Sequence, residues 1–459
     1  MDQITKGKPL TIPYSAVFLT FCTMVGITFG IALDFNLALP VLFFSAIGLF
    51  ILFRVQPLIF LAILIIARMS LDYSSQYLGF TVYDITLSLS QLLGIGVAIL
   101  GFYCIFLYQK NLSQFSLTQP FLVILLWGIF SLLSSIAPGT SISEIIRIFD
   151  LLVIALLAFL FVKTQKDFQL LLKALLLSAV VPSLVALYQY INNIGFSDAD
   201  VSIPRIFGTF AHPNTLSLYL FTLLVVSFIY YTFHRKEIVN QQQIVFYLGV
   251  LFLGFLLFLT FARVAWIITF LFVLIIAVTR YRRLLLPLIL LPLILILLSP
   301  AFQNRISESL SPDPDSSIVW RQNLWSDVIQ KTIQDERIVV GSGINTFPLF
   351  TDTLRGSLLG SNDAHNDFVK FFVEGGVIGL FALFVFYLLL FLLLQKIRRR
   401  FPKNSPLSEI CFIMMVFLFC LIIASLTDNI FKNTPVQWIF FVLLGALLSL
   451  SQKKNLSHS

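Results

Sequence analysis

With 58% hydrophobic and only 11% charged side chains among 459 residues, against about 25% charged in an ordinary soluble domain, the sequence excludes a soluble fold. The net charge of +8 does not indicate nucleic acid, because the basic residues recur at the ends of apolar runs instead of forming one patch. Cys22, Cys104, Cys411 and Cys420 all fall inside apolar runs, with no CxxC and no neighbouring histidine, which gives no support to a zinc site or a disulfide framework.

At about twenty residues per crossing, runs such as Ile244 to Ala262 and Val377 to Leu394 are long enough to span a bilayer. Taken in chain order, about fourteen spans are expected, near residues 14–32, 36–53, 55–68, 84–107, 119–137, 146–162, 168–190, 214–233, 244–261, 263–279, 284–299, 370–394, 407–427 and 434–451. The first follows Lys6 and Lys8 like a signal peptide but lacks a small-residue cleavage site, and is read as an uncleaved helix. The expected fold is an all-α polytopic transmembrane bundle. Its divisions are residues 1–299 with eleven spans, a long loop over 300–369, and 370–459 with three spans and a C-terminal tail.

Alternate connections carry most of the basic residues, including Arg235, Lys236, Arg280, Arg282, Arg283 and Arg398 to Arg400, and this bias places them and both termini in the cytoplasm. Nearly all acidic residues then fall outside. Two outer connections are long, 191–213 and 300–369, and loops of that length usually carry function. Within the second, Ser311 to Ser317 reads as a turn. Asp313-Pro-Asp315 resembles a metal-binding DxD, but its flanking prolines favour a plain turn. Ile318 to Ile333 has Trp320, Leu324, Trp325 and Val328 near helical spacing, as an amphipathic helix on the membrane surface or capping the bundle.

The outer face holds the residues that suit chemistry. His365-Asn366 precedes Gly376 and Gly379; on a continuous helix His365 and Gly376 share a face, and a small-residue groove runs down from the histidine. An ordinary loop histidine before a closely packed helix fits the same spacing. Arg205 lies in a loop that enters a span at Pro213-Asn214, where an anion could meet a helix N-terminus or the arginine could be merely solvated. His212 reads as a loop or capping residue. Arg263 sits between two apolar runs at the outer interface, where a charge costs about 2.5–3.5 kcal/mol and normally has a partner or a task, unless it snorkels to headgroups. Arg321 opens the amphipathic segment. There is no P-loop or dinucleotide fingerprint, so an outer-face enzyme needs a donor that arrives already activated. Arginine forks suit a lipid-linked pyrophosphate, and histidine suits the proton of an attacking hydroxyl.

The ordered set Arg205-x-x-Gly-Thr-Phe-x-x-Pro-Asn214, Thr260-Phe-Ala-Arg263, Arg321 followed by Gly341-Ser-Gly343, and His365-Asn366-x9-Gly376-x2-Gly379 resembles the O-antigen ligase and polymerase family of bacterial membrane glycosyltransferases. The resemblance covers roughly residues 200 to 380 and departs from the usual pattern at Phe261-Ala262, where a serine often precedes the arginine. It implies a GT-C-like helical enzyme of the bacterial inner membrane, with an extracytoplasmic active site. This enzyme passes a glycan from undecaprenyl pyrophosphate to a glycan, lipid or protein acceptor, with no cofactor and no metal. By that analogy Arg205 and Arg263 hold the pyrophosphate and His365 serves the acceptor, with Arg321, Asn366 and Asn214 as further substrate contacts. The alternative is a transporter of a small anion or sugar, which calls for broken helices and ionisable residues at depth, Arg147 and Asp150 being the nearest candidates.

Overall fold

The computed structural model describes residues 38–72, 79–82, 85–198, 201–235, 240–310, 317–355 and 363–453. The span expected near 14–32, Cys22 and the turn at Asp313-Pro-Asp315 lie outside them. The helices are α1 (Ala38–Val55), α2 (Pro57–Ser70), α3 (Leu89–Leu107), α4 (Gln109–Leu112), α5 (Thr118–Ser131), α6 (Pro138–Phe161), α7 (Gln165–Leu177), α8 (Val180–Ile191) and α9 (Pro213–His234). They continue as α10 (Asn240–Leu259), α11 (Arg263–Thr279), α12 (Leu285–Leu298), α13 (Pro300–Leu310), α14 (Ser317–Gln334), α15 (Phe347–Arg355), α16 (Asp367–Arg400), α17 (Pro406–Ala424) and α18 (Thr434–Lys453). Two antiparallel hairpins accompany them, β1 (Gly79–Val82) with β2 (Ile85–Ser88) and β3 (Phe196–Asp198) with β4 (Val201–Arg205).

The expected all-helical membrane bundle is observed, but not the count. Six of the described helical stretches are long and apolar enough to cross a membrane, with Pro57–Ser70, Gln91–Leu107, Thr118–Ser134 and Arg263–Thr279 as shorter apolar helices. The span expected from residue 84 begins instead as the second strand of a hairpin. The one expected over 168–190 falls within the candidate span Gln165–Ile191, with a break at Ser178-Ala179.

Local chemistry sets the ends. Thr164 and Asp167 form a reciprocal capping box that starts α7. Proline at the first turn opens α6, α9 and α17, where its missing N–H costs nothing. The most enclosed helix is α18, whose apolar window is 94% buried. Gly445 lets it approach α6 until an added Cβ would stand 2.1 Å from the Ala155 carbonyl oxygen. By contrast α10 turns Ile244, Val245, Leu248 and Leu251 outward, as a lipid-facing helix does.

The largest departure from expectation is in α16, which is not continuous. Gly376 takes φ 59° and ψ −154°, a combination open essentially only to glycine, and the helix folds back on itself there. The rings of Phe368 and Phe384 lie 5.5 Å apart, whereas a straight helix would separate those residues by about 24 Å. A Cβ on Gly379 would stand 2.8 Å from the Phe371 carbonyl oxygen. The small-residue groove expected below His365 is therefore absent: the histidine and Gly376 lie at opposite ends of a short helical limb, residues 367–375, packed against the longer limb, residues 377–400.

The long loop supplies what the broken helix lacks. The N–H groups of Ser342 and Gly343 donate to Val373 O (3.0 Å) and Glu374 O (2.8 Å), and Val377 N–H donates to Ile338 O (2.8 Å). Gly341 (φ 67°) leaves no room for a Cβ, which would stand 2.3 Å from Glu374 backbone. Trp127 of α5 stacks on Phe371 at 4.8 Å and fills the space left by Gly375 and Gly379. The glycines thus serve a backbone junction between loop and helix.

Candidate functional site

Four connections meet at the start of the short limb: the β4–α9 turn, the α10–α11 turn, the residues before α16, and the α17–α18 turn. The Arg205 side chain is buried, with Nε donating to Thr260 O (2.8 Å) and Nη2 to Asn214 Oδ1 (2.9 Å). Asn214 Nδ2 in turn donates to Asp428 Oδ2 (2.9 Å), and the other carboxylate oxygen of Asp428 faces His365 Nδ1 at 3.6 Å. Arg321 Nη1 donates to Thr427 O (3.3 Å), beside Asp428. A polar chain from Thr260 through Arg205, Asn214 and Asp428 to His365 results.

Each member is held by its surroundings. Gln189 of α8 accepts from the N–H groups of Phe207 (3.0 Å) and Gly208 (2.8 Å), fixing the turn after Arg205. Gly208 has φ 59° and an added Cβ there would stand 2.9 Å from Pro182 O, which explains the glycine of that motif. His212 caps α9, as expected of it, with Nδ1 accepting from Asn214 N–H (3.1 Å). Asn366 caps α16, its Oδ1 accepting from Phe368 N–H (2.9 Å) and Val369 N–H (3.2 Å). His365 itself is in the left-handed region (φ 47°). It is fixed from the preceding residue, where Trp325 Nε1 donates to Ala364 O (2.6 Å) and ties α14 to the site.

Arg263 begins α11 directly after its N-cap Ala262 and two residues after Phe261, which has φ 51°. The Arg205 bond to Thr260 O joins that turn to the rest of the site. Arg263 and Arg321 are half-buried, whereas Arg205 is 5% exposed. Five of the six residues expected from the sequence lie in or at the edges of these connections, and Arg321, on α14, reaches the α17–α18 turn through Thr427 O; Arg205, Asn214 and Asn366 spend much of their bonding capacity on the protein.

The residue the sequence reading missed is Asp428. Burial pushes its pKa up, but the His365 imidazole, the Arg321 guanidinium and the Asn429 N–H more than offset this and hold the carboxyl below the usual range. The pKa of His212 is also lowered, to about 4, through burial and the Arg205 charge, so it stays neutral at pH 7. The turn carrying Asp428 is itself clamped. Asp367 accepts from Ser425 Oγ and Phe431 N–H, both at 2.8 Å, and Asp367 N–H donates to Ser425 O at 2.8 Å.

A charged layer adjoins the site. Arg147 pairs with Glu144 (2.6 Å) and donates to Phe431 O (3.0 Å); Lys370 faces Glu374 (3.8 Å), and Lys432 faces Asp363 (3.7 Å). The Lys370 charge and burial lower the pKa of Lys432. Burial raises that of Asp363, but Lys432 and Lys370 outweigh it and leave the carboxyl acidic.

The fold and site define a multi-pass helical membrane protein with an arginine-rich polar centre at one end of its bundle. Residues 248–384 match the family model described as O-antigen ligase, which supports membership of the O-antigen ligase family. No match was found among the curated proteins. The matched segment holds Arg263, Arg321, His365 and Asn366, whereas Arg205, Asn214 and Asp428 lie outside it and are joined to it by the hydrogen bonds above.

Proposed function

We propose that the chain transfers a glycan from a lipid-linked pyrophosphate, undecaprenyl pyrophosphate in the family's pattern, to an acceptor hydroxyl. The reaction takes place on the outer face of the bacterial cytoplasmic membrane. The observation that carries this is the polar chain ending in the Asp428–His365 pair, with two further arginines at its margins.

A proton on Nδ1, the tautomer that suits a carboxylate neighbour, leaves the lone pair on Nε2 to accept the acceptor's proton. The acceptor oxygen then bonds to the anomeric carbon, the bond from that carbon to the pyrophosphate oxygen breaks, and lipid pyrophosphate departs with the electron pair. Arg263 and Arg321, the more open guanidiniums, meet the negative charge on the leaving group. Arg205 adds its charge and holds Asn214 and the Thr260 turn in place.

An apolar groove of about 250 Å³ begins at Phe368, three residues after His365, and runs between α16 and α17 past Tyr387, Phe391 and Phe419. It offers the hydrocarbon chain a path from the bilayer to the site. The family match supports a ligase-type transferase and gives the transporter alternative no support. The broken helix of α16 is filled by loop backbone, where a transporter would line a cavity.

The test is a deletion strain complemented with His365→Ala, Arg263→Ala or the parent chain. Loss of surface glycan in both variants at equal expression is expected, and full glycan in both would sink the proposal. In the deletion strain, accumulated long lipid-linked polymer marks a ligase and single repeat units mark a polymerase.

A further inference from the structure

At the far end of α11, about 24 Å from Arg263 along the helix axis, the chain makes a concave turn that transfer chemistry does not use. Residues 278–283 line a pocket of about 480 Å³, and three of them are arginines, Arg280, Arg282 and Arg283. The guanidiniums of Arg280 and Arg398 both lie over the Phe412 ring, 5.2 Å from its centroid, which limits their freedom. Among the described residues, Glu409 beside this turn is already engaged: it accepts from Tyr281 Oη (2.6 Å) and pairs with Arg235 (3.5 Å), which also donates to Tyr281 Oη (3.1 Å). That network anchors the turn through Tyr281 and engages the Glu409 carboxylate with Arg235. Beside the pocket, Val278, Leu286 and Ile289 are exposed and apolar.

A bias of basic residues toward one side of the membrane explains arginines at helix ends. It does not explain three of them lining one hollow, with Glu409 engaged elsewhere and an apolar flank alongside. Guanidinium forks are matched to phosphate oxygens, and basic pockets between transmembrane helices suit anionic headgroups. We propose that this turn binds the headgroup of a phospholipid carrying two phosphates, its acyl chains lying along Val278, Leu286 and Ile289. Two phosphates fit better than one because three arginines line the hollow and one phosphate would leave most of that charge unmatched. The site lies at the end of the bundle opposite the transfer site and stands or falls independently of it.

The experiment is native mass spectrometry of the full chain released from detergent, titrated with cardiolipin, phosphatidylglycerol, phosphatidylcholine or sodium pyrophosphate. Cardiolipin is expected to bind tightest, phosphatidylcholine weakest, and free pyrophosphate far more weakly than cardiolipin because it lacks the chains. Each basic residue beside an anionic lipid is worth about fivefold in affinity, so the double variant Arg282→Gln/Arg283→Gln should lose about 25-fold for cardiolipin. Its phosphatidylcholine binding and thermal midpoint should not change. Salt is an independent arm should that variant fail to fold, since raising it should erase the parent chain's preference. Equal binding of cardiolipin and phosphatidylcholine, a preference indifferent to salt, or undiminished cardiolipin binding in a folded double variant would overturn the proposal. Pyrophosphate binding as tightly as cardiolipin would reassign the pocket to a soluble anion and overturn the lipid.

Discussion

Gly376→Ala should be strongly destabilising. The backbone at Gly376 (φ 59°, ψ −154°) costs a residue with a Cβ about 1–3 kcal/mol. That Cβ would also stand 2.3 Å from Val339 C and 2.4 Å from Ile338 O, backbone atoms with little freedom to withdraw, and relieving the overlap costs about 1–3 kcal/mol more. The total of about 2–6 kcal/mol falls on the junction where Val377 N–H meets Ile338 O, so the loop over 338–343 should detach before the bundle melts. The assays are the thermal midpoint in detergent, limited proteolysis across residues 336–343, and the initial rate of glycan transfer in proteoliposomes. A displacement of the short limb by about 1 Å moves His365 with it and should cost about 100-fold in rate. Gly249→Ala is the control, because nothing lies within 4 Å of its added Cβ. If Gly376→Ala matched that control in midpoint, cleavage and rate, the fold-back at Gly376 would be wrong.

Asp428→Asn should lower the transfer rate by about 100-fold or more, measured in proteoliposomes, because the amide cannot stabilise a proton arriving on His365; an unchanged rate would remove the pair from the mechanism. Arg205→Lys keeps the charge but loses the planar fork that reaches Thr260 O and Asn214 Oδ1 together, so both rate and thermal midpoint should fall. Stability should depend on pH through His212, whose folded pKa is depressed from 6.5 to about 4. The unfolded chain takes the proton first, so stability complete above about pH 6.5 should decline by up to about 3 kcal/mol as pH falls toward 4. His212→Asn, which keeps a capping oxygen, should flatten denaturant midpoints across that window, and a flat profile in the parent chain would refute the assignment. Asp363 and Asp428 have depressed pKa values, so their contributions are kept above about pH 4 and lost only below it.

What could be read in the sequence was residue type combined with side of the membrane. Arg205, Arg263, Arg321 and His365 stood out because polar residues are scarce in this chain and occupy connections that alternation of charge put on one face. Asp428 shared that face but belonged to a short turn without a motif, and its meaning comes from Asn214, 214 residues earlier, which no local pattern encodes. The reversal in α16 was hidden for a related reason. Gly375, Gly376 and Gly379 in an apolar run read as helix packing, and only the backbone partners offered by residues 338–343 turn Gly376 into a fold-back. The β1–β2 hairpin was more accessible: Thr81, Val82, Ile85 and Thr86 are β-branched and flank a two-residue connection, a strand signal the apolar run after it obscured.

The site's polar side chains differ in how much bonding capacity the protein itself uses, and that difference sorts their roles better than their motifs do. Asn366 spends its carbonyl oxygen on two helix N–H groups, and Asn214 is bridged on one side by Arg205 and on the other by Asp428. Groups so engaged cannot exchange partners for a substrate without leaving a buried polar atom unmatched, at about 1–3 kcal/mol each. Their value is to fix where Asp428, His365 and the Thr260–Arg263 turn stand. Arg263 and Arg321 are less enclosed; Arg263 follows the Thr260 turn that Arg205 holds, and Arg321, on α14, bonds Thr427 O beside Asp428. Rigid inner groups that define positions and outer cations that can turn toward an incoming anion form an arrangement suited to a large, charged, lipid-borne donor. Such a donor must be caught at the margin of the protein and presented to a base that does not move.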